Sequence, residues 1–463
     1  MSVYAQISLK PDVREYLRNV YTNKELVAEV GEEEADRAFE NLLTCLSHPP
    51  SFTCVRASTH LFPLQDVQHQ LKQHLSQQTS DFHEDAVLVP VYPHPRIPDV
   101  LLLTVVGPRS VSVLKAEVIV GAQCGSAVLR GAHVFAPGVL STPKYMKTGD
   151  LVSVFSDVEG KCTRGAKEFH GKKVFLGNGV SVMDRSDIFC SEGPVRGVAI
   201  KMTEPLYASP SFDGVLLDKV FLQNLPSVLV GHILGPQPGE RILDMCAAPG
   251  GKTTHIAALM GNQGEVVALD KIKSKVEKIC QNAEILKLDC IRVHCYNSIQ
   301  AVSTKPDQEA ADEPPFPEES FDRVLLDAPC SGLGQRPNMA ITWSLKEVCS
   351  YQPLQRKLLT TAVRLLKRGG VLVYSTCTVT LAENEEQVAW ALKTFPCLKL
   401  EPQEPHLGSE GMPGAGLSCD QRRLLQRFRP ELRWEAVKNP YQNFPCQANS
   451  DTIGFFIAKF SKT

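Results

Sequence analysis

Two cysteines follow apolar runs of the kind that form buried parallel strands. Cys330 lies in the stretch Asp-Ala-Pro-Cys-Ser-Gly directly after the run 323–326, and Cys377 follows the run 370–374. The carboxyl ends of parallel strands share one edge of a sheet, where such folds bind ligands. A single cysteine there is most often a small buried residue. Two of them on one edge, with Asp327 beside the first, indicate a pair that carries out chemistry.

Methyl transfer to C5 of cytosine is a reaction that uses such a pair. C5 is a poor nucleophile in the aromatic ring, whereas a thiolate that adds to C6 creates an enamine whose C5 can attack a sulfonium methyl group. The adduct must then lose its C5 proton and expel the thiolate, and a second cysteine can assist that release. Asp327 is placed to hydrogen-bond the N3/N4 edge of the pyrimidine and to help the ring accept charge.

The stretch 240–254, Glu-Arg-Ile-Leu-Asp-Met-Cys-Ala-Ala-Pro-Gly-Gly-Lys-Thr-Thr, organises the rest of the chain. Its order is a short strand, a glycine turn and a helix over 252–260, which presents backbone N–H groups and a positive helix end to a ligand. A second strand ends in Asp270, about 20 residues further on, where nucleotide-binding folds place a carboxylate on the ribose hydroxyls. We therefore expect a nucleoside ligand such as S-adenosylmethionine.

The sequence of the same loop is also compatible with a second kind of ligand, a nucleoside triphosphate. The run 251–253, Gly-Lys-Thr, matches the end of a phosphate-binding loop, G-x-x-x-x-G-K-[ST], and Asp327 resembles the acid that holds magnesium in such enzymes. Cys246, however, occupies the position of the first glycine, and Pro249 lies within the turn, so both obstruct a loop that wraps phosphates. Asp270 would have no role in such an enzyme. The residues favour the nucleoside, with ATP and magnesium as the alternative.

The composition is that of an ordinary globular protein of two or three domains. The chain has 463 residues, of which 43% are hydrophobic and 22% charged. No apolar run reaches the roughly 20 residues of a membrane span, and the N-terminus lacks the apolar core of a secretory signal. The 15 cysteines show no C-x-x-C pairing, which predicts reduced thiols, no metal site and a cytoplasmic location. A net charge of -2 confines any RNA-binding surface to local patches, and no oligomeric state is predicted.

Three segments differ in pattern. Residues 1–111 form an N-terminal helical region, with helical spacing of apolar residues over 23–43, and residues 50–57 resemble the start of a small RNA-recognition-like region. Residues 112–205 contain short β-rich runs separated by glycines, which predicts a small barrel. Residues 206–463 begin with a predicted helix over 221–234 and then alternate strands with helices. That alternation predicts an α/β, doubly wound, mostly parallel Rossmann-like sheet.

Two smaller features complete the pattern. The stretch 302–320 holds six acids and four prolines without periodicity, and we expect a surface loop there. The spacing of Thr380 and Glu383 matches a capping box, which predicts that they open a helix over 384–392.

The middle segment carries a basic patch and resembles a known domain. Residues 160–173 hold five basic residues and one acid, a pattern that suits either a solvated loop or RNA contacts without sequence preference. The run 121–138, with the glycines of 149–150 and 177–179, resembles a PUA domain. This resemblance implies a pocket for RNA, often for the 3′ end of a tRNA. It places RNA contacts at Arg130, Phe135, Lys161, Arg164 and Lys167.

The chain from Tyr207 onward resembles the SUN/Fmu-type RNA (cytosine-5) methyltransferases over about 250 residues. The resemblance rests on LDMCAAPGGKT, LLDAPCSG, YSTCT, the Ala-Glu-Asn-Glu run from Ala382 and the closing 451–460. It implies that Cys377 is the nucleophile, that Cys330 promotes product release and that S-adenosylmethionine is the cofactor. The PUA-like segment narrows the match to the sixth member of the family. That member's substrates would be tRNA, at the acceptor stem and 3′ end, and mRNA stem-loops.

The resemblance also assigns the cofactor residues. Asp270 would bind the ribose, and Asp327 would border both the cofactor and the base. The loop residues around the methionine part would be Cys246, Ala247, Ala248, Pro249, Gly250, Gly251 and Lys252. Lys252 would either neutralise the cofactor carboxylate or act beside the nucleophile.

One position departs from the family pattern. Asn297 stands where the family usually has an acid that contacts the adenine amino group. The Asn carbonyl can still accept that hydrogen bond, so we expect cofactor binding weaker by about 1 kcal/mol. The departure leaves one alternative open, an RNA-binding protein that keeps the fold with weakened or lost catalysis.

Overall fold

The computed structural model describes residues 7–80, 90–190, 193–303, 312–430 and 448–463. Its α-helices are α1 (Pro11–Tyr21), α2 (Lys24–Val30), α3 (Glu32–Leu46), α4 (Leu64–Ser80), α5 (Ala122–Leu129), α6 (Arg185–Phe189), α7 (Leu225–Leu234), α8 (Gly251–Leu259), α9 (Lys273–Ile285), α10 (Leu345–Leu365), α11 (Glu385–Thr394) and α12 (Cys419–Arg423). Its strands are β1 (Phe52–Ala57), β2 (Val91–Pro93), β3 (Val100–Thr104), β4 (Glu117–Gly121), β5 (Val134–Phe135), β6 (Val139–Ser141), β7 (Leu151–Asp157), β8 (Lys173–Ser181), β9 (Val198–Pro205), β10 (Val220–Leu222), β11 (Arg241–Asp244), β12 (Glu265–Asp270), β13 (Ile291–Cys295), β14 (Phe321–Asp327), β15 (Leu366–Thr376), β16 (Leu398–Leu400), β17 (Gln426–Phe428) and β18 (Phe455–Lys462).

The largest sheet has eight strands, in the order β13-β12-β11-β14-β15-β18-β16, with β17 also paired to β18. Strands β11 to β15 pair in parallel, and β18 runs antiparallel to β15. Because β11 lies between β12 and β14, the direction of winding reverses there, and such folds bind ligands outside the carboxyl ends of the strands at that point. The predicted Rossmann-like, mostly parallel sheet is confirmed.

Apolar residues alternate between two cores along the strands of this sheet. Ile242 packs with α7, α8 and α9, whereas its neighbour Leu243 packs with α10 and α11. Successive strand residues point to opposite faces, so helices cover both faces and the sheet is doubly wound. No helix in the described ranges combines the length and apolar character needed to cross a membrane.

The N-terminal region differs from two sequence predictions, one about a strand and one about a helix. Its sheet has the order β10-β1-β3-β2, so Phe221, predicted to be helical, lies in a strand that pairs antiparallel with β1. Helix α7 begins only at Leu225, where Pro226 suits a first helical turn. The helix predicted over 23–43 is divided between α2 and α3 at Gly31, whose φ of +87° ends the first helix. The limits 1–111, 112–205 and 206–463 remain predictions, although β10 follows residue 206 and joins the N-terminal sheet.

The middle sheet has six strands in the order β5-β9-β8-β7-β4-β6. Its two outer strands, β5 and β6, are joined by the single 3-10 turn Ala136–Gly138, so the sheet curls until its ends are neighbours. Val118, Val154 and Ile200 belong to a core of its own. The barrel-like curvature agrees with the glycine-rich pattern of this segment. The stretch 302–320 cannot be compared in full, since 304–311 lie outside the described residues.

Candidate active site

The two cysteines lie together at the carboxyl edge of the large sheet. Asp327, at the end of β14, is in register with Ser375 of β15, so the loops that follow leave adjacent strands. The Sγ atoms of Cys330 and Cys377 are 3.3 Å apart. The predicted cysteine pair is therefore present as a contact.

The surroundings of the two thiols differ. The hydrogen bond from Cys330 lowers the pKa of Cys377, assisted by Gln335 and by the charge of Lys252, against the opposing effect of burial. The same contact, together with burial and the charge of Glu383, raises the pKa of Cys330 well above its usual value. Only a thiolate is a strong nucleophile, so these directions agree with the role that the family resemblance gives to Cys377.

Lys252 and Asp327 form an ion pair beside the cysteines. The Nζ atom of Lys252 lies 2.8 Å from Oδ2 of Asp327, and Ser375 donates its hydroxyl to Oδ1 at 2.7 Å. The ammonium also lies over the ring of Phe455, 5.4 Å from its centroid. The pair holds a cation and an anion at the sheet edge, where both can contact the polar edge of a base.

The glycine turn forms one wall of a cleft of about 380 Å³. Gly250 has a φ of +103°, and a Cβ there would approach the Cα of Ile279 at 3.2 Å, so the position requires glycine. The backbone N–H of Ala247 donates to Leu269 on β12, which ties the turn to the next strand. The residues of the predicted cofactor loop that line the cleft are Cys246, Ala247, Ala248, Pro249, Gly251 and Lys252.

Asp244 is a site residue that the sequence analysis missed. It ends β11, is 1% exposed and lines the cleft. Its Oδ2 accepts the hydroxyl of Thr253 at 2.7 Å, while its Oδ1 has no hydrogen-bond partner among the described residues. Burial raises the pKa of Asp244 to about 7, against the lowering effect of Thr253. A buried carboxylate oxygen without a partner fits a cationic group such as the amino group of S-adenosylmethionine. An acid that ends an apolar strand before a glycine turn was the available signal.

Asp270 and Asn297 lie on the same sheet edge, outside the wall of this cleft. Oδ1 of Asp270 accepts the N–H of Ile272 at 2.9 Å, which leaves Oδ2 for another donor. Asn297 is exposed, and its Oδ1 accepts the N–H of Ile299 at 3.2 Å as the cap of a short 3-10 turn. One lone pair of that oxygen thus remains for a ligand.

The other walls of the cleft come from the N-terminal and middle segments. Pro50, Phe52 and Arg130 line it together with Arg336. The buried guanidinium of Arg336 donates to Asp451 at 2.6 Å and to the carbonyls of 45, 48 and 452. One side chain therefore fixes the N-terminal region and the C-terminal segment around the same opening.

The predicted RNA-contact residues have different positions. Arg130 is exposed and lines the cleft, whereas the other four are not among its lining residues. Phe135 is exposed on β5, Lys161 pairs with Glu159 at 3.2 Å, and Lys167 is exposed. Arg164 instead donates to the carbonyls of 137, 139 and 188, so its guanidinium also holds the middle sheet together.

The capping-box prediction is wrong. Helix α11 begins at Glu385 after Asn384, and Thr380 and Glu383 lie in the turn before it. The buried carboxylate of Glu383 accepts hydrogen bonds from Ser331, on the loop of the first cysteine. The hydroxyl of Thr380 also contacts this carboxylate and accepts the N–H of Glu383, but neither residue caps α11. Contacts with the distant loop, which sequence spacing does not show, add to this local turn.

Comparisons with known proteins agree with this geometry. The family model described as 16S rRNA methyltransferase RsmB/F matches residues 231–461. The human tRNA (cytosine(72)-C(5))-methyltransferase NSUN6 is 58% identical over 470 residues, covering 100% of this chain and 99% of the relative. A Pyrococcus horikoshii tRNA (cytosine(72)-C(5))-methyltransferase is 33% identical, covering 74% of this chain and 75% of the relative.

A solved structure supports the same assignment. The crystal structure of NSun6 from Pyrococcus horikoshii with SFG matches with a TM-score of 0.72 and 28% identity, covering 98% of each chain. SFG is an analogue of S-adenosylmethionine, so S-adenosylmethionine is the cofactor and the ATP alternative is wrong. The chain therefore belongs to the RsmB/F family of S-adenosylmethionine-dependent RNA (cytosine-5)-methyltransferases, as its cysteine motifs predicted.

Proposed function

We propose that this protein methylates C5 of a cytosine near the acceptor end of tRNA through a covalent adduct with Cys377. The observation that carries the proposal is the 3.3 Å contact between Cys330 and Cys377 beside the ion pair of Lys252 and Asp327. The names of two relatives, which specify cytosine 72 of tRNA, support the substrate. The retained cysteines and acid weigh against a protein that only binds RNA.

The cofactor supplies an electrophilic methyl group when bound. Asp244, whose Oδ1 has no partner within the described ranges, and the residues of 246–252 would hold the methionine part, and Asp270 would hold the ribose. The amide of Asn297 would accept from the adenine amino group. The positive N-terminal end of α8 favours the cofactor carboxylate.

The chain's own groups, with a solvent water, account for the remaining steps. The thiolate of Cys377 adds to C6, and the electron pair of the C5–C6 bond moves toward C5 and the ring. The ammonium of Lys252 stabilises the negative charge that develops on the N3 side of the base, and the carboxylate of Asp327 accepts a hydrogen bond from the exocyclic N4 amino group. After C5 has gained the methyl group, a solvent water takes the C5 proton, the electrons of that C–H bond re-form the C5–C6 double bond, and the C6–S bond breaks with its electron pair on sulfur. Cys330 then hydrogen-bonds the departing sulfur, which regenerates the initial thiol–thiolate pair.

The middle segment is proposed to be a PUA domain that docks the tRNA end. Arg130 supports this proposal because it lines the cleft that the cofactor loop also lines. Phe135, Lys161 and Lys167 are exposed and remain proposed RNA contacts, together with Arg164. mRNA stem-loops are a second proposed substrate. The scattered cysteines, which show no C-x-x-C pairing, support the cytoplasm as the proposed location.

A denaturing gel of Cys330→Ala with tRNA and S-adenosylmethionine tests the mechanism. If Cys377 attacks and Cys330 promotes release, a covalent protein–RNA band accumulates and disappears when Cys377→Ala is added. Cys280→Ala, an exposed cysteine on α9, is the matched control and should behave as wild type. A band that survives Cys377→Ala would assign another nucleophile. No band, with no methyl transfer by wild type, would refute the function.

The salt dependence of tRNA binding tests the docking surface. Each phosphate contact contributes about 0.9 to the slope of log K against log salt on a duplex. Lys161→Gln with Lys167→Gln should therefore reduce the slope by about 2. Lys275→Gln with Lys278→Gln, two exposed charges on α9, is the matched control. An unchanged slope in the first variant would place the RNA elsewhere.

A further inference from the structure

Glu383 is a buried carboxylate in contact with the loop of Cys330. It is 1% exposed, and its Oε2 accepts the N–H of Ser331 at 2.9 Å and Nε2 of Gln355 at 3.1 Å. Its Oε1 accepts the hydroxyls of Ser331 at 2.6 Å and Thr380 at 3.0 Å. The hydroxyl of Thr378 lies 3.4 Å from Oε1 as a fifth donor. Burial raises the pKa of the Glu383 carboxyl, and the hydrogen bonds from Ser331, Thr380 and Gln355 oppose that effect.

This carboxylate joins the two cysteine loops. Ser331 follows Cys330 in the chain, and its Oγ lies 2.7 Å from Oγ1 of Thr378, the neighbour of Cys377. The hydroxyl of Tyr374, on the strand that leads to Cys377, donates to the carbonyl of Glu383 at 2.6 Å. The contacts of Glu383 therefore fix the distance between the two loops.

The charges around the two sulfurs are distributed unequally. The negative charge of Glu383 acts on Cys330 and contributes to the raised pKa of that thiol, after the Cys377 contact and burial. The amide of Gln335 and the ammonium of Lys252 act on Cys377 and contribute to its lowered pKa, after the contact with Cys330. Two thiols in contact compete for one proton, and a nearby negative charge favours the protonated form of its neighbour.

We propose that Glu383 is a positioning residue that holds Cys330 against Cys377 and keeps the shared proton on Cys330, so that Cys377 is the sulfur that attacks. This inference rests on the proposed covalent mechanism. It assigns the choice of nucleophile to a third side chain, which touches neither the base nor the cofactor.

Glu383→Gln separates the charge of this residue from its packing. The amide carbonyl can still accept from Ser331 N–H and Gln355, and the NH₂ group can donate to the hydroxyl oxygens of Ser331 and Thr380. The variant therefore keeps the connection between the loops and removes only the negative charge. A purely structural role predicts no change at the sulfurs.

The first measurement is the rate of iodoacetamide alkylation at each cysteine across pH 6 to 9, without RNA or cofactor, read by peptide mass spectrometry. Wild type should be alkylated first at Cys377. Glu383→Gln should shift the alkylation of Cys330 to lower pH and reduce the preference for Cys377. Glu386→Gln is the matched control. It removes a negative charge from the first turn of α11, three residues after Glu383, and should resemble wild type.

The other titratable groups near the two cysteines do not change their charge between pH 6 and 9 in a way that would shift the alkylation of Cys330. Tyr16 of α1, Tyr351 of α10 and Tyr374 of β15 all have a pKa that burial raises further above the tested range. Lys252 and Asp327 are unaltered in both proteins. The difference between wild type and Glu383→Gln therefore reports the removed charge.

The second measurement is methyl transfer. Glu383→Gln should lower kcat in proportion to the lost thiolate fraction of Cys377, with the KM for tRNA unchanged, because only the thiolate attacks. An unchanged alkylation preference in a folded Glu383→Gln would overturn the proposal. If that variant does not fold, Glu383→Asp keeps the charge and should keep Cys377 as the first site; alkylation of Cys330 first would overturn it. Since alkylation needs no RNA, absence of methyl transfer in wild type would refute the function separately.

Discussion

Binding of S-adenosylmethionine should weaken when Asp244 takes up a proton. Among the residues that the structure describes, Oδ1 of Asp244 has no hydrogen-bond partner, and the residue lines the cleft. Its side chain suits a cationic group only while the carboxylate is ionised. Burial raises its pKa to about 7, so the group titrates within the range of ordinary assays. With that pKa, the ionised fraction is about 0.9 at pH 8 and about 0.1 at pH 6. The affinity should therefore fall about 10-fold between these two conditions.

Isothermal titration calorimetry at pH 6, 7 and 8 measures this dependence. Asp244→Asn should bind more weakly than wild type at pH 8 and lose the 10-fold dependence on pH. Asp289→Asn, an exposed acid between α9 and β13, is the matched control and should retain it. A wild-type affinity that is flat from pH 6 to 8, or a slope that survives in Asp244→Asn, would refute this account.

The same group makes folding stability depend on pH in a defined direction. A carboxyl whose pKa is raised in the folded state stabilises the protein at low pH, and that contribution is lost as the pH rises through about 7. Between pH 5 and pH 8 the loss from Asp244 alone amounts to about 3 kcal/mol. His48 and His255, whose pKa burial lowers to about 4, act in the opposite direction. Urea denaturation of wild type and Asp244→Asn in parallel isolates the contribution of Asp244, because the histidines are common to both.

Three further predictions use single contacts. Arg336→Met leaves the carboxylate of Asp451 buried without its partner, so the free energy of unfolding in urea should fall by about 3–5 kcal/mol; a loss below about 1 kcal/mol would contradict this. Asn297→Asp restores an acid on the adenine side and should tighten cofactor binding by about 1 kcal/mol, or about 5-fold, in calorimetry; an equal or weaker affinity would contradict it. Hydrogen peroxide should oxidise the thiols of Cys330 and Cys377 to a disulfide, forming two waters, because their sulfurs are 3.3 Å apart. Both should then resist alkylation until dithiothreitol is added, and independent alkylation would argue against the contact.

The contact between the two cysteines could be predicted from the sequence because each cysteine directly follows a strand that its own neighbouring residues specify. An apolar run before each cysteine specifies a buried strand, and adjacent parallel strands end at one edge. The same reasoning located the glycine turn and Asp270. It needed no knowledge of distant contacts, which is why these features agree with the structure.

The missed features depend on contacts between distant segments. Phe221 is in a strand because β1, far earlier in the chain, offers it a pairing edge, and helical spacing carries no record of that partner. Glu383 has the spacing of a helix cap, yet Ser331, on a loop far earlier in the chain, also donates to its carboxylate. Arg164 lies in a basic run that suits RNA, while three carbonyls of its own segment already accept from it.

The order of the N-terminal sheet has a consequence for synthesis of the chain. Strand β1 lies between β3 and β10, so one of its edges stays unpaired until residues 220–222 have left the ribosome. An open edge of this kind can pair with another nascent chain. Arg56 on the same strand donates to the carbonyl of Gly251 at 3.1 Å, and this hydrogen bond can form only after Gly251 has been synthesised. The N-terminal region therefore completes its fold only when the cofactor loop is made, and a release of the chain before that point would leave an aggregation-prone fragment.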